Sequence, residues 1–228
     1  RDDLEGAVQK GLHVLVWGHG LDLAEPAVAS VIARRSADPL FQNGSVRVAG
    51  DCLSFVYKAA AEIGELGDNV RALRAAVHAD TLLRQALAQP TSRVSLLGHT
   101  RWASVGIISE PNCHPVNGEQ SELTGAQQAE LPYTVAVLNG DVDNHADIKV
   151  NHSLRIAGPI TTDAKVIPAV MALHAGSAAI SGANLGEAFR RTVAEFDGSV
   201  AIAAATAAAP DQVYLALRGS GQALYVGI

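Results

Sequence analysis

A chain of 228 residues with 48% hydrophobic and 18% charged residues is long and apolar enough for one large core-bearing domain, and it is no disordered segment. Its net charge of −6, with Lys and Arg scattered along the chain, leaves no electrostatic footprint for nucleic acid or for an anionic membrane surface. Cys52 and Cys113 match no metal spacing and fit a reducing compartment, no apolar run reaches the ~20 residues of a bilayer span, and Arg1-Asp2-Asp3-Leu4-Glu5 opens no signal peptide. The expectation is a cytoplasmic protein with a small-molecule or protein partner.

Leu4, Ala7, Val8, Leu12, Leu15 and Val16 recur at helical spacing and Gly18 and Gly20 stop them, which predicts an opening amphipathic helix. Residues 27–33, Ala-Val-Ala-Ser-Val-Ile-Ala, read as a strand buried on both sides, and residues 45–49 as a second strand between the turn pairs Asn43-Gly44 and Gly50-Asp51. From Cys52 to about Ala88 the pattern is helical in two pieces broken near residues 64–69, with Leu53, Val56, Tyr57, Ala60 and Ile63 on one face of the first. Val70, Leu73, Val77 and Leu87 mark the core face of the second. Both cysteines read as small apolar side chains.

Val94 to Leu97 forms a short apolar strand that opens into Gly98-His99-Thr100-Arg101-Trp102-Ala103-Ser104-Val105-Gly106, a strand end carrying a fixed cation, an indole and hydroxyls. A polar loop follows to about Leu131. Residues 133–138 are a strand ending abruptly in Asn139-Gly140, residues 141–144 start a helix, and residues 155–160 are extended. Thr161-Thr162-Asp163 opens a helix bearing Val166, Val170 and Leu173, with Pro168 as a kink. The clearest helix spans residues 185–196, with Asn184 and Glu187 as a capping box and Gly198 as its stop. Strands at 199–206, 212–217 and 223–226 are joined by Ala209-Pro210-Asp211 and by Gly219-Ser220-Gly221, a turn with no helix after it and so no phosphate loop. With no repeat, linker or composition break, residues 1–228 read as one domain, and elements arriving in runs favour a layered α+β sandwich.

Three strand or loop ends stand out together: Arg101 with Ser104, Asn139-Gly140, and Thr162-Asp163. A guanidinium suits an α-carboxylate, a carboxylate suits an α-ammonium, and an amide beside a flexible backbone N–H suits an oxyanion, which is the set a free amino acid under acyl attack requires. His13, His19, His145 and His152 each lack a third partner at ligand spacing, so no metal and no cofactor are expected.

The run 98–104, then Asn112-Cys113-His114-Pro115, Val137-Leu138-Asn139-Gly140 with Asn144-His145, and Thr162-Asp163 resembles the class II glutamine amidotransferases. The look is most like the glutaminase domain of the glutamine–fructose-6-phosphate aminotransferases, because of Trp102 and His114-Pro115. Gly198-Ser199-Val200-Ala201 and Leu217-Arg218-Gly219-Ser220 resemble that domain's last strands. Gly11-Leu12 and Gly20-Leu21-Asp22 resemble, more weakly, its first helix and the turn after it. Residues between Asp22 and Gly98 form a longer segment than usual.

The resemblance implies the four-layer αββα sandwich of the N-terminal-nucleophile hydrolases. Arg101 would clamp the α-carboxylate of L-glutamine with Trp102 and Ser104 beside it, Asp163 would hold the α-ammonium, and the Asn139 amide and Gly140 N–H would form the oxyanion hole. It implies ammonia passed to an acceptor, fructose 6-phosphate, on sugar-isomerase domains of the same protein, with a homo-oligomer left open. The family's nucleophile, an amino-terminal Cys leading a first strand, is missing from this chain. The expectation is an excerpt of a longer amidotransferase that is silent by itself; the alternative is an inactive module that binds glutamine or a partner domain. Against the family pattern, Val105 and Leu138 stand for His, Lys165 for an acidic residue and Ser104 for Thr, which changes charge and polarity around the site.

Overall fold

Leu12, Val14 and Val16 point one way along the strand β1 (Gln9–Trp17) and His13 and Leu15 the other, and both faces are covered. This explains why the expected opening helix is a strand from Gln9 on; Leu4, Ala7 and Val8 lie outside the described residues. A strand buried on both sides loses its alternation, and its apolar residues then also satisfy helical spacing. The same ambiguity hides β3 (Cys52–Ala59), where all eight residues are buried and no helix forms. Gly11 and Leu12, matched above to a first helix, therefore lie in β1. The computed structural model describes residues 9–60, 67–101, 105–123, 127–128, 130–176, 184–219 and 221–227.

The segment expected as a strand at 27–33 is helix α1 (Pro26–Ser36). Pro26 supplies a preset φ in the first turn, and Glu25 Oε2 accepts the Val28 N–H at 2.9 Å as its cap. The strand β2 (Val46–Ala49) is as expected, bracketed by left-handed Gly44 and Gly50. Helices α2 (Asp68–Ala79) and α3 (Thr81–Leu87) share Asp80 between them, whose carboxylate caps α3 through the Leu83 N–H at 3.0 Å. The apolar run at 94–97 continues as β4 (Arg93–Arg101), so Gly98, His99, Thr100 and Arg101 belong to the strand.

The second half follows the sequence reading more closely. A single-turn helix (Glu110–Asn112) leads to β5 (Val116–Asn117), and β6 (Thr134–Gly140) ends in the Asn139-Gly140 pair. Next come α4 (His145–Asn151), a helical turn at Asp163–Lys165 running into α5 (Val166–Ala175), α6 (Leu185–Ala194), β7 (Val200–Thr206) and β8 (Ala209–Arg218).

Four expectations fail here. Pro168 makes no kink, because it falls in the first turn of α5, where its missing N–H costs nothing. Asn184 has left-handed φ and forms no capping bond, while Glu187 instead pairs with Arg190 and Arg191. Ala209-Pro210-Asp211 is not the turn but the start of β8, an edge strand that tolerates proline. Residues 223–226 form no strand, and Tyr225 is 91% exposed.

The strands make two antiparallel sheets, β2-β3-β1-β4 and β5-β6-β7-β8. One outer core packs Val14, Val16, Leu53, Phe55 and Tyr57 under α1, α2 and α3. The other packs Leu138, Ile202, Val170, Met171 and Phe189 under α4, α5 and α6. Between the sheets Leu97 meets Val135, Val137 and Ala205, and a polar seam runs from His13 through Ser54 to Tyr133 with contacts of 2.9 and 2.7 Å. The result is the four-layer αββα sandwich expected above. Among the described residues, no helix is long and apolar enough to cross a membrane.

Candidate functional site

The end of β4 delivers Arg101 into the interior, where it is 5% exposed. Its register partner on β1 is Gln9, and Arg101 Nη1 donates to Gln9 Oε1 at 2.9 Å and to the Asn112 carbonyl at 3.1 Å. Nη2 donates to the Val105 carbonyl. Burial pulls the Arg101 pKa down, and the nearby charges of Asp163, Cys113 and Asp141 oppose it. The guanidinium stays a cation. Trp102 and Ser104 lie outside the described residues.

Asn112 is the hub of the site and is fully buried. Its Oδ1 accepts the Thr161 and Thr162 N–H groups at 2.7 and 2.9 Å. Its Nδ2 donates to the Ile107 carbonyl, Ser109 Oγ and Thr161 Oγ1 at 3.2, 3.0 and 3.2 Å. One amide thus ties the loop after Arg101 to the segment that presents Asp163. The sequence reading singled out Asn112 only as part of a motif; its position two residues before His114-Pro115 is the signal it carried.

A second chain of bonds runs through His114. The Leu138 N–H donates to His114 Nδ1 at 3.4 Å, His114 Nε2 lies 3.1 Å from Thr162 Oγ1, and that hydroxyl reaches Asp163 Oδ1 at 3.4 Å. With Nδ1 accepting, the proton sits on Nε2 and Thr162 relays the polarity to Asp163. Burial holds the His114 pKa well below its ordinary value, helped by the charges of His99, Arg101 and Lys58, so the ring is neutral. The His99 ring packs 4.8 Å away, its pKa lowered to about 4 by burial and then by Arg101. Gly11 allows this approach, since a Cβ there would lie 1.8 Å from the His114 carbonyl.

Asp163, 2% exposed, accepts the Val142 N–H on Oδ2 at 2.8 Å. Val142 follows Asn139-Gly140 by two residues, so the carboxylate is anchored to the loop that carries the amide. Asn139 is exposed at the end of β6, opposite Ala201. Gly140 has φ +107°, and a Cβ there would stand 1.9 Å from the Ser199 carbonyl, which restricts the position to glycine. Of the residues read as the site, Arg101, Asn139-Gly140 and Asp163 come to one end of the two sheets.

Two of the departures from the family pattern point elsewhere. The Leu138 side chain joins the outer core under α4 and α5. Lys165 Nζ donates to the Asn117 carbonyl, Asn117 Oδ1 and the Glu119 carbonyl at 2.6, 3.0 and 2.7 Å, and burial brings its pKa down to about 7. The expectation that Lys165 alters charge at the site is therefore corrected: its ammonium is spent on the end of β5. Cys113 and Cys52 are buried thiols, each with a pKa raised by burial to about 11.

The chain resembles a class II glutamine amidotransferase domain in sequence as well as in motif order. Its relatives are glutamine–fructose-6-phosphate aminotransferases. That of Gloeobacter violaceus is 28% identical over 189 residues, 82% of this chain and 28% of the relative. That of Bacillus anthracis is 28% identical over 64% of this chain and 22% of the relative, and that of Thermococcus kodakarensis is 32% identical over 58% and 19%. The chain thus spans about a quarter of the length of the curated relatives it matches. No protein-family model matches the chain. A solved glutamine phosphoribosylpyrophosphate amidotransferase from B. subtilis aligns with 91% of this chain and 37% of its own at 13% identity and a TM-score of 0.42.

Proposed function

We propose that residues 1–228 form one glutaminase domain that releases ammonia from L-glutamine for an acceptor, fructose 6-phosphate, bound by sugar-isomerase domains of the same protein. The supporting observation is the Asn112-centred network, which locks a buried guanidinium and a buried carboxylate into one unit. Arg101 has five N–H donors, and among the described residues Gln9, Asn112 and Val105 take three, so two face a ligand carboxylate in this reading. In this reading Arg101 holds the α-carboxylate with Trp102 and Ser104 beside it, and Asp163 holds the α-ammonium. The Asn139 amide and Gly140 N–H stabilise the oxyanion, donors worth ~3 kcal/mol each in other acyl-transfer sites.

One observation favours a second reading, a non-catalytic module that binds glutamine or a partner domain. Arg101 and Asp163 are both already engaged by the protein itself, and neither Cys52 nor Cys113 is an activated thiolate. The two readings part in an assay of the full-length protein for glutamate release from glutamine, repeated with Arg101→Ala and Asp163→Ala. Turnover lost in both variants supports the glutaminase. Wild-type protein that binds glutamine and releases no glutamate overturns it.

A further inference from the structure

The outer helices of the second sheet hold a cluster that the glutamine reading does not use. His152 caps the C-terminus of α4, His174 lies in the last turn of α5, and Glu195 caps the C-terminus of α6. His152 Nε2 is 2.6 Å from Glu195 Oε2, and His174 Nε2 is 2.5 Å from Glu195 Oε1. The two rings meet edge-on, with centroids 5.6 Å apart and planes at 84°. One ligand atom from each residue falls within 4.8 Å of the others. The sequence reading dismissed His152 for want of partners. The fold supplies them from 22 and 43 residues away in the chain.

We propose that His152, His174 and Glu195 form a binding site for a divalent transition metal of the zinc class, which clips the C-terminal ends of α4, α5 and α6 together. Two imidazoles and a carboxylate are a donor set that Zn²⁺ takes, at bonds of ~2.0–2.2 Å, with a fourth position left for water. Both rings present the same nitrogen, Nε2, to the shared carboxylate, so a metal replaces the two N–H bonds to Glu195 without turning either ring over. The C-terminal ends of α4 and α5 turn the negative ends of their dipoles toward His152 and His174, which favours a cation, while that of α6 is already answered by Arg218. The side chains are 22%, 22% and 34% exposed, open enough for an ion to enter and covered enough for the ligands to be held.

The backbone beneath is also fixed. Asn144, before α4, donates from Nδ2 to the Glu195 carbonyl at 2.9 Å and accepts the Asp197 N–H on Oδ1 at 3.0 Å. Arg218 caps the last carbonyls of α6, those of Val193 and Ala194, at 3.1 Å each, so its charge is directed to the backbone. Each carboxylate oxygen of Glu195 faces one imidazole, so the group offers an oxygen toward both rings.

The test is isothermal titration of the chelator-treated, tag-free chain with Zn²⁺, with Co²⁺ absorption as a second probe. One ion per chain is expected, with at least tenfold weaker binding in His174→Gln and in Glu195→Gln. Unchanged affinity in both variants, or no saturable binding at one ion per chain, overturns the site. Should a variant fail to fold, the wild type still decides the matter by NMR. Zn²⁺ should shift the ring resonances of two of the eight histidines, those of His152 and His174. Shifts confined to any other pair refute the proposal.

Discussion

Asp163 Oδ2 accepts the Val142 N–H at 2.8 Å, so the carboxylate at the start of α5 and the loop after β6 are one mechanical unit. The bond is buried, and a substitution there separates charge from scaffold. Asp163→Ala leaves the Val142 N–H unpaired, which costs ~1–3 kcal/mol. Asp163→Asn keeps an acceptor oxygen for Val142 but removes the charge. In urea titrations the Ala variant should therefore unfold earlier and the Asn variant close to wild type. In glutamine binding by the full-length protein, both should fail. Asn retaining full affinity would remove the ammonium role from Asp163.

Asn112→Ala should be among the most damaging single changes in the chain. It strips the partner from the buried Thr162 N–H and from the part-buried Thr161 N–H, and frees the segment at Ile107 and Ser109. Loss of more than ~3 kcal/mol in chemical unfolding is expected, the range reached when a buried polar network is broken.

The parts of the fold that the sequence discloses are those with one wet face or an abrupt end. β6 announced itself through the stop at Asn139-Gly140, and the helix α6 through Leu185, Ala188 and Phe189 on one side. β1 and β3 were misread as helices because burial on both faces erases period two. The helix α1 was misread as a strand because its Val and Ile outweighed the Glu25-Pro26 start signal. Arg101 and Asp163, the residues proposed as the clamp, drew attention because they stand at element ends in a recognisable order. The contacts that organise them were not, since Asn112 meets Thr161 and Thr162 across 49 and 50 residues, and no local pattern encodes that distance.

Gly140→Ala tests the amide loop without touching a charge. A Cβ at 1.9 Å from the Ser199 carbonyl, on a backbone at φ +107°, cannot be absorbed by a side-chain shift. Strain of that kind costs ~1–3 kcal/mol, and the clash adds to it. The midpoint of thermal unfolding should fall by several degrees, whereas Gly44→Ala, whose Cβ meets nothing within 4 Å, should fall by less although its φ is also positive. Equal shifts in the two variants would mean that the Ser199 contact is not what fixes Gly140.

Stability should decline on mild acidification because burial holds imidazoles neutral, among them His13, His99 and His114. Burial lowers His13 to about 3 and His99 to about 4, the latter with help from Arg101, and holds His114 well below its ordinary value. In the unfolded chain these rings titrate near 6.5. Between pH 6.5 and about 4 these three rings alone make the unfolded state bind up to three more protons than the folded one, and stability falls as pH falls. At full uptake the slope reaches ~1.4 kcal/mol per pH unit for each ring. Above pH 7 the same groups are neutral in both states and contribute no slope. His13→Gln offers an amide in place of the imidazole partner of Ser54 and removes one titrating group. Unfolding free energies measured from pH 7 to pH 4 should then fall less steeply by about one proton's worth. A variant slope equal to that of the wild type would show that His13 already carries its proton in the folded state.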